Sequence, residues 1–269
     1  MIVKEKEEVS LLKLQSFGDS LKFWRELHRK TQLDLAMDLD VSAKHLSFLE
    51  NNRSTPSRQM VLKIAEVLRL PLRQRNSLLL AAGYAPEFKE SALSDQQIQS
   101  VAEALQRLID KQEPFPAFVV NTEYKILNYN QGFRKLISKF VGDKALQIHE
   151  NAIEILCSET GLKPYVEHYE IVENFLKRRL FDEILISQNP KLLDLYQKLF
   201  SNNPMNELLP LVDMQIPILS LRLRKENLCA NFFSTITTLG TPLDVTLQEL
   251  KIECFFPMDE ETKCVLSEP

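Results

Sequence analysis

The stretch Thr31-Gln-Leu-Asp-Leu-Ala-Met-Asp-Leu-Asp-Val-Ser42 joins two short helical patterns through a very tight turn, and almost every position in it has a physical task. Thr31 stands where a hydroxyl can accept one of the orphan N–H groups that open a helix, and Asp34 lies in the first turn, where a carboxylate complements the helix dipole. Ala36 is small enough to let the next helix approach closely. Asp40 falls where the backbone must turn left-handed, a conformation usual for Gly and tolerated by Asp. Val41 is the apolar residue to bury, and Ser42 caps the helix that follows.

Working outward, Phe17, Leu21, Trp24 and Leu27 recur at helical spacing before the turn, and Leu46 and Leu49 do so after it, up to a stop at Pro56. A fourth pattern (Val61, Ile64, Ala65, Leu68) stops before Pro71, and a fifth, from Leu72 to Ala82, stops at Gly83. Residues 17–83 are therefore expected to form an all-α unit of five helices. A polar, Pro-containing stretch from Tyr84 to Leu93 marks the boundary, and residues 94–269 form the second domain. That domain opens with a helix over 94–111. Next comes a hairpin pairing 117–120 with 125–129, whose turn lacks Gly. Helices are expected over 165–186 and 191–200, and strands over 218–225, 228–238 and 250–256, where β-branched and aromatic residues concentrate. The second domain reads as α+β.

Composition narrows the function. The net charge is −4, yet the basic excess lies in residues 17–75 while the remainder is acidic, so the front of the chain is the candidate for a polyanion. Only six glycines are present, with no phosphate-binding loop, no Gly-x-Ser-x-Gly elbow and no His-Glu-x-x-His. Acidic pairs such as Asp182-Glu183 adjoin in sequence and read as solvated faces, so no enzyme is expected. Cys157, Cys229, Cys254 and Cys264 are too dispersed for a metal site or a redox pair and read as reduced thiols. No metal and no cofactor is expected. No apolar run approaches the roughly 20 residues that span a bilayer, and the start MIVKEKEEVS lacks a secretory apolar stretch, so a cytoplasmic protein is expected.

The pattern over 31–42, continued by Leu46-Ser-Phe-Leu-Glu50, Asn52-Arg53 and Pro56-Ser57, resembles the Xre-type, Cro/repressor-like helix-turn-helix regulators. Where that family usually carries Gly, this chain has Asp40 and Asn52, both able to accept a positive φ. The resemblance implies that the helix opening at Ser42 enters the major groove of double-stranded DNA. Ala43, Lys44 and Ser47 then face the groove, His45 and Phe48 are further candidates there, with completing the core the alternative for Phe48, and Gln32, Asn51, Asn52 and Arg53 hold phosphates. Lys44 is the leading base reader, since its ammonium can donate to guanine O6 or N7; the alternative is an ordinary solvated lysine. In related repressors an Arg of the first helix pairs with the Glu ending the recognition helix. Arg25 and Glu50 occupy those positions, and such a pair is read first as scaffold.

The second domain resembles the sensor domain of MmyB-like transcription regulators, which has a PAS-like fold. The likeness rests on Pro116-Ala-Phe-Val-Val120, Ile126-Leu-Asn-Tyr-Asn130, Leu162-Lys-Pro-Tyr-Val-Glu-His-Tyr169, the run from Asn231 to Leu250, and Ile252-Glu-Cys-Phe-Phe-Pro257. It implies a small hydrophobic ligand, a fatty acid in part of the family, and a DNA-binding homodimer. Phe118, Phe133 and Phe175 are then candidate apolar lining, and Tyr129, Asn130, His168 and Tyr169 candidate donors to a carboxylate head. His168-Tyr169 departs from the Asn-Trp frequent in relatives. For each aromatic, core filling is the competing reading, and Thr235–Pro242 reads equally as strand and turn. The alternative function for this domain is dimerisation or protein interaction without a small molecule.

Overall fold

The computed structural model describes residues 16–200 and 219–267. They divide into two compact units. One holds the residues up to Glu90 together with Leu185–Asn189 and Pro242–Gln248, and the other holds Ser91–Ile184, Pro190–Thr241 and the residues from Glu249 onward.

In the first unit α1 (Phe17–Leu27), α2 (Gln32–Asp38), α3 (Ala43–Glu50), α4 (Arg58–Val67) and α5 (Leu72–Ala81) follow one another. The first four are opened by hydroxyls: Ser16, Thr31, Ser42 and Ser57 accept the N–H groups of Asp19, Asp34, His45 and Met60. Thr31 and Asp34 form a reciprocal capping box, as Thr31 N–H donates to the Asp34 carboxylate at 2.9 Å. All five helices close in the same way. Arg29, Asp40, Asn52, Arg69 and Gly83 each take a positive φ, and the N–H of the next residue reaches back to the carbonyl five positions earlier, as in Val41 to Ala36 (2.9 Å) and Arg53 to Phe48 (2.8 Å). The left-handed turns expected at Asp40 and Asn52 are present, at φ 54° and 55°. Those at Arg29 and Arg69 are not legible from composition, because neither residue type favours that region.

These sharp reversals fold five short helices onto one core, in which Leu21, Leu35, Leu39, Leu46, Leu49, Ile64 and Leu68 are fully buried around Trp24. The approach of α1 to the end of α3 is backbone to backbone. A Cβ on Gly18 would lie 2.4 Å from the carbonyl oxygen of Glu50 and 2.8 Å from that of Leu49.

The second unit is α+β. Its five-stranded sheet runs in the order β2 (Ile126–Tyr129), β1 (Ala117–Val120), β5 (Lys251–Pro257), β4 (Leu228–Thr238), β3 (Leu221–Lys225), with every neighbouring pair antiparallel. The first strand is thus completed by the last, a pairing no local pattern announces. The helices are α6 (Gln96–Asp110), α7 (Gln131–Phe140), α8 (Ala145–Ile148), α9 (Ala152–Cys157), α10 (Tyr169–Ser187), α11 (Pro190–Phe200), α12 (Val245–Gln248), which lies in the first unit, and α13 (Glu260–Ser267). The hairpin turn without Gly is solved by polar bonding and one unusual residue. Asn121 Oδ1 accepts from Glu123 and Lys125 N–H, and Tyr124 takes φ 61° with its ring fully buried.

Two expected boundaries move. The helix expected from residue 165 begins at Tyr169, because Val166 is drawn into a β-bridge with Leu223 and His168 sits at φ 54°, leaving Lys163–Tyr165 as a separate 3-10 turn. The strand expected over 218–225 is β3 from Leu221, and Ile218 lies outside the described residues. Thr235–Thr238 form the end of β4, paired with Lys251–Cys254.

Gly18→Ala is expected to lower the unfolding free energy by about 1–3 kcal/mol, the usual cost of overpacking against atoms that cannot yield. Urea unfolding followed through the single tryptophan, Trp24, measures it; an unchanged midpoint would show that the α1–α3 approach relaxes freely.

Candidate functional site

In the first unit α3 has two faces with different duties. Leu46, Leu49 and Glu50 are buried, while Lys44 is exposed and Ala43, His45 and Ser47 are half-exposed. Ser42 fixes where this helix begins, since its Oγ accepts the His45 N–H at 3.1 Å. The Lys44 ammonium extends over the Phe48 ring, 5.6 Å from its centre, and Phe48 itself is partly exposed. Asn51 donates to the Ser47 carbonyl at 2.7 Å and closes the helix from outside, and Asn51, Asn52 and Arg53 are all exposed.

The buried face is locked by charge. Arg25 Nε donates to Glu50 Oε1 at 2.5 Å and Arg25 Nη2 to Oε2 at 3.2 Å, with the Glu50 side chain only 2% exposed. Arg25 Nη1 also donates to the Lys30 carbonyl at 2.8 Å, and Gln32 Nε2 to Glu50 Oε2 at 2.7 Å. The hydrogen-bonded carboxylate of Glu50 raises the Arg25 pKa above its ordinary value, so the guanidinium stays charged despite burial. One carboxylate thereby ties α1, the start of α2 and the end of α3. Gln32 spends an amide N–H inside this lock, a role that reading it as a phosphate contact alone misses. Asn52 is likewise engaged internally: its Oδ1 accepts the Gly18 N–H and its Nδ2 donates to Ser16 Oγ, both at 3.0 Å.

In the second unit Phe118 and Phe133 meet at 4.8 Å between ring centres. Tyr129 joins Phe133 at 5.9 Å, and Phe255 lies 5.9 Å from Phe118. Asn130 is 2% exposed and fully committed: its Oδ1 accepts from Ala117 and Phe133 N–H (2.9 Å each), and its amide donates to Ile109 O (3.0 Å) and Phe115 O (2.8 Å). It has no N–H left to offer. Tyr129 is 40% exposed, and the His168 side chain is 79% exposed, 3.8 Å from Glu170. Tyr169 and Phe175 are half-buried. Burial pushes the Cys157 thiol up to about 11, against a lowering influence of Tyr169, and burial raises the Tyr169 phenol as well. The structure thus brings Phe118, Phe133 and Tyr129 together and leaves His168 apart from them.

Among the described residues no helix is long and apolar enough to cross a membrane, and no three His, Cys, Asp or Glu side chains gather to hold a metal.

Comparison with known proteins bears on both units. Residues 21–74 match the helix-turn-helix family model, and residues 101–268 match the model of the MmyB-like transcription regulator ligand binding domain. The chain is 30% identical over 120 residues to the HTH-type transcriptional repressor RghR of Bacillus subtilis (strain 168), covering 43% of this chain and 82% of that protein. A solved RNA-binding light-oxygen-voltage receptor aligns with 98% of this chain at 9% identity. The alignment covers 65% of that receptor, less than two thirds of its length, and its TM-score of 0.29 is too low to imply a common fold.

Glu50→Ala is expected to cost about 3–5 kcal/mol of stability, because it leaves the Arg25 guanidinium buried without its main partner. Urea unfolding monitored at Trp24 measures this; a loss below 1 kcal/mol would deny the pair its scaffold role.

Proposed function

The chain belongs to the MmyB-like transcription regulators and carries a helix-turn-helix, and from that premise we propose a one-component regulator in which residues 17–83 read DNA and residues 94–269 sense a small hydrophobic ligand, such as a fatty acid. The observation that carries the DNA reading is the division of α3 into a face held by the Arg25–Glu50 lock and a solvent face bearing Ala43, Lys44 and Ser47. On this reading α3 lies in the major groove. Lys44 donates to guanine, Ala43 is sized for a thymine methyl, Ser47 and His45 face the groove beside them, and Ser42, Asn51 and Arg53 contact the flanking backbone. Gln32 and Asn52 act mainly by holding the reading helix in place. The protein binds as a homodimer on half-sites about one helical turn, ~34 Å, apart.

For the sensor, the family model and the aromatic interior support an apolar ligand among Phe118, Phe133 and Tyr129. With the Asn130 amide fully used and His168 facing solvent, the Tyr129 and Tyr169 hydroxyls are the remaining candidate donors to a carboxylate head. A ligand can bias DNA binding only through its differential affinity for the two arrangements of the regulator.

Lys44→Ala is expected to weaken binding to the footprinted operator by roughly 5- to 100-fold, the usual worth of one base contact, with an unchanged circular dichroism spectrum. Equal affinity and sequence preference would reject this docking. Denaturing extraction followed by mass spectrometry is expected to recover near-stoichiometric fatty acid. Protein that yields none, and whose melting temperature palmitate leaves unmoved, would instead make the second domain an interaction or dimerisation module.

A further inference from the structure

The first unit contains residues that do not come from its own helical stretch. At the start of α5 the N-cap position is Pro71, which supplies no side-chain cap, and the Leu72 N–H is taken by Gln248 Oε1 at 2.6 Å, from 176 positions further along the chain. An exposed helix start leaves such groups to water; here a distant glutamine satisfies one. The rest of that segment is built in as well. Asp244 Oδ1 accepts from Thr246 and Leu247 N–H and so opens the short α12. Val245 is fully buried and donates its N–H to the Lys89 carbonyl at 2.9 Å, and Lys89 and Asp244 form a parallel bridge. The 87–88 backbone is itself bound by Asn76 of α5, whose Oδ1 accepts from Glu87 and Phe88 N–H. A second inserted piece, Leu185–Asn189, is held by Gln74, which donates to the Ser187 carbonyl at 2.6 Å.

Both inserted pieces are continuous in sequence with one polar knot of the second unit. Glu183 stands two residues before Leu185, and Lys251 three residues after Gln248. Lys251 Nζ donates to Glu183 Oε2 at 2.5 Å, and the buried Tyr124 hydroxyl donates to Glu183 Oε1 at 2.6 Å. The Lys251 ammonium and the Arg179 guanidinium lie 4.8 and 5.1 Å from the Tyr124 ring centre. Arg179 Nη2 lies 3.5 Å from Glu253 Oε2, and Ser234 donates to Glu253 at 2.9 Å. Arg179 Nε and Nη2 are buried without a hydrogen bond among the described residues, although ion-paired at longer range. A neutral set of two cations and two carboxylates with donors to spare has more than one way to pair, and low-dielectric surroundings make each way costly to leave half-made.

We propose that Pro242–Gln248, with Leu185–Asn189, is the output element of the sensor: a working part of the DNA-binding unit whose position is set by the Tyr124–Glu183–Lys251 knot. This rests on the DNA-binding reading of the first unit. A change that re-pairs Glu183 acts on the two inserted pieces at once and alters the Gln248 cap. α5 packs against α1 and α4, and α1 carries Arg25, the anchor of the reading helix. Gln248 is a positioning residue, acting on DNA only through α5.

The test is hydrogen exchange on the full-length protein, with neither DNA nor ligand, in the wild type, Gln248→Ala, Lys251→Met and the double variant. Gln248→Ala is expected to speed exchange in a peptide spanning residues 70–79 by roughly 2- to 30-fold, the worth of a lost helix cap. Lys251→Met is expected to do the same from the other unit, with the double variant no faster than Gln248→Ala and residues 117–120 still protected. Unchanged exchange over 70–79 in either single variant, or additive effects in the double, overturns the proposal. If Lys251→Met loses protection over 117–120, Glu183→Gln replaces it under the same criteria. Because DNA is absent, failure here leaves the Lys44 result standing, and failure at Lys44 leaves this one readable.

Discussion

The architecture of the reading unit depends on one buried carboxylate. Glu50 accepts from Arg25 twice and from Gln32 once, so three helices that share little local sequence logic are referred to a single pair of oxygen atoms. Such a lock adds little net stability as a pair, because desolvating the charges consumes much of what their attraction returns, but removing one partner strands the other in the interior. Its directional value is large. With the buried face of α3 committed to Glu50, Leu46 and Leu49, the opposite face is left to present Ala43, Lys44 and Ser47.

The lock works because the chain reverses sharply around it. Five successive helices end on a residue in the left-handed region, and only the last of these is glycine. At Asp40 and Asn52 the strain falls on residue types that tolerate it; at Arg69 it accompanies the burial of Leu70 in the shared core, and at Arg29 it brings the Lys30 carbonyl to Arg25 Nη1. Asn52 then serves twice, turning the backbone after α3 and binding Gly18 with its side chain.

The second unit uses polar anchors in the same spirit. Asn130 satisfies four backbone groups of α6, the 115–117 stretch and α7 at once, which makes it a structural residue, although its place beside an aromatic cluster gives it the look of a ligand contact. Tyr124 joins a strained hairpin turn to the charged knot of Arg179, Glu183 and Lys251. Side chains with several hydrogen-bonding groups are the economical means of holding irregular backbone in a dry interior.

The amino-acid sequence by itself determined the five helices and the caps at Thr31 and Ser42, the turns at Asp40 and Asn52, the Arg25–Glu50 pairing through its resemblance to known repressors, and the α+β character of the second unit. These depend on periodicity, hydroxyl placement and residue types with local conformational signatures, all encoded within a few positions. Only the tertiary structure decided that Gln32 belongs to the Glu50 lock, that β1 pairs with β5, that His168 faces solvent while Asn130 has nothing left to donate, and that Gln248 completes a helix far earlier in the chain. Each of these is a hydrogen bond or exposure set by residues distant in sequence, and a side chain's polar capacity does not reveal which partner will use it.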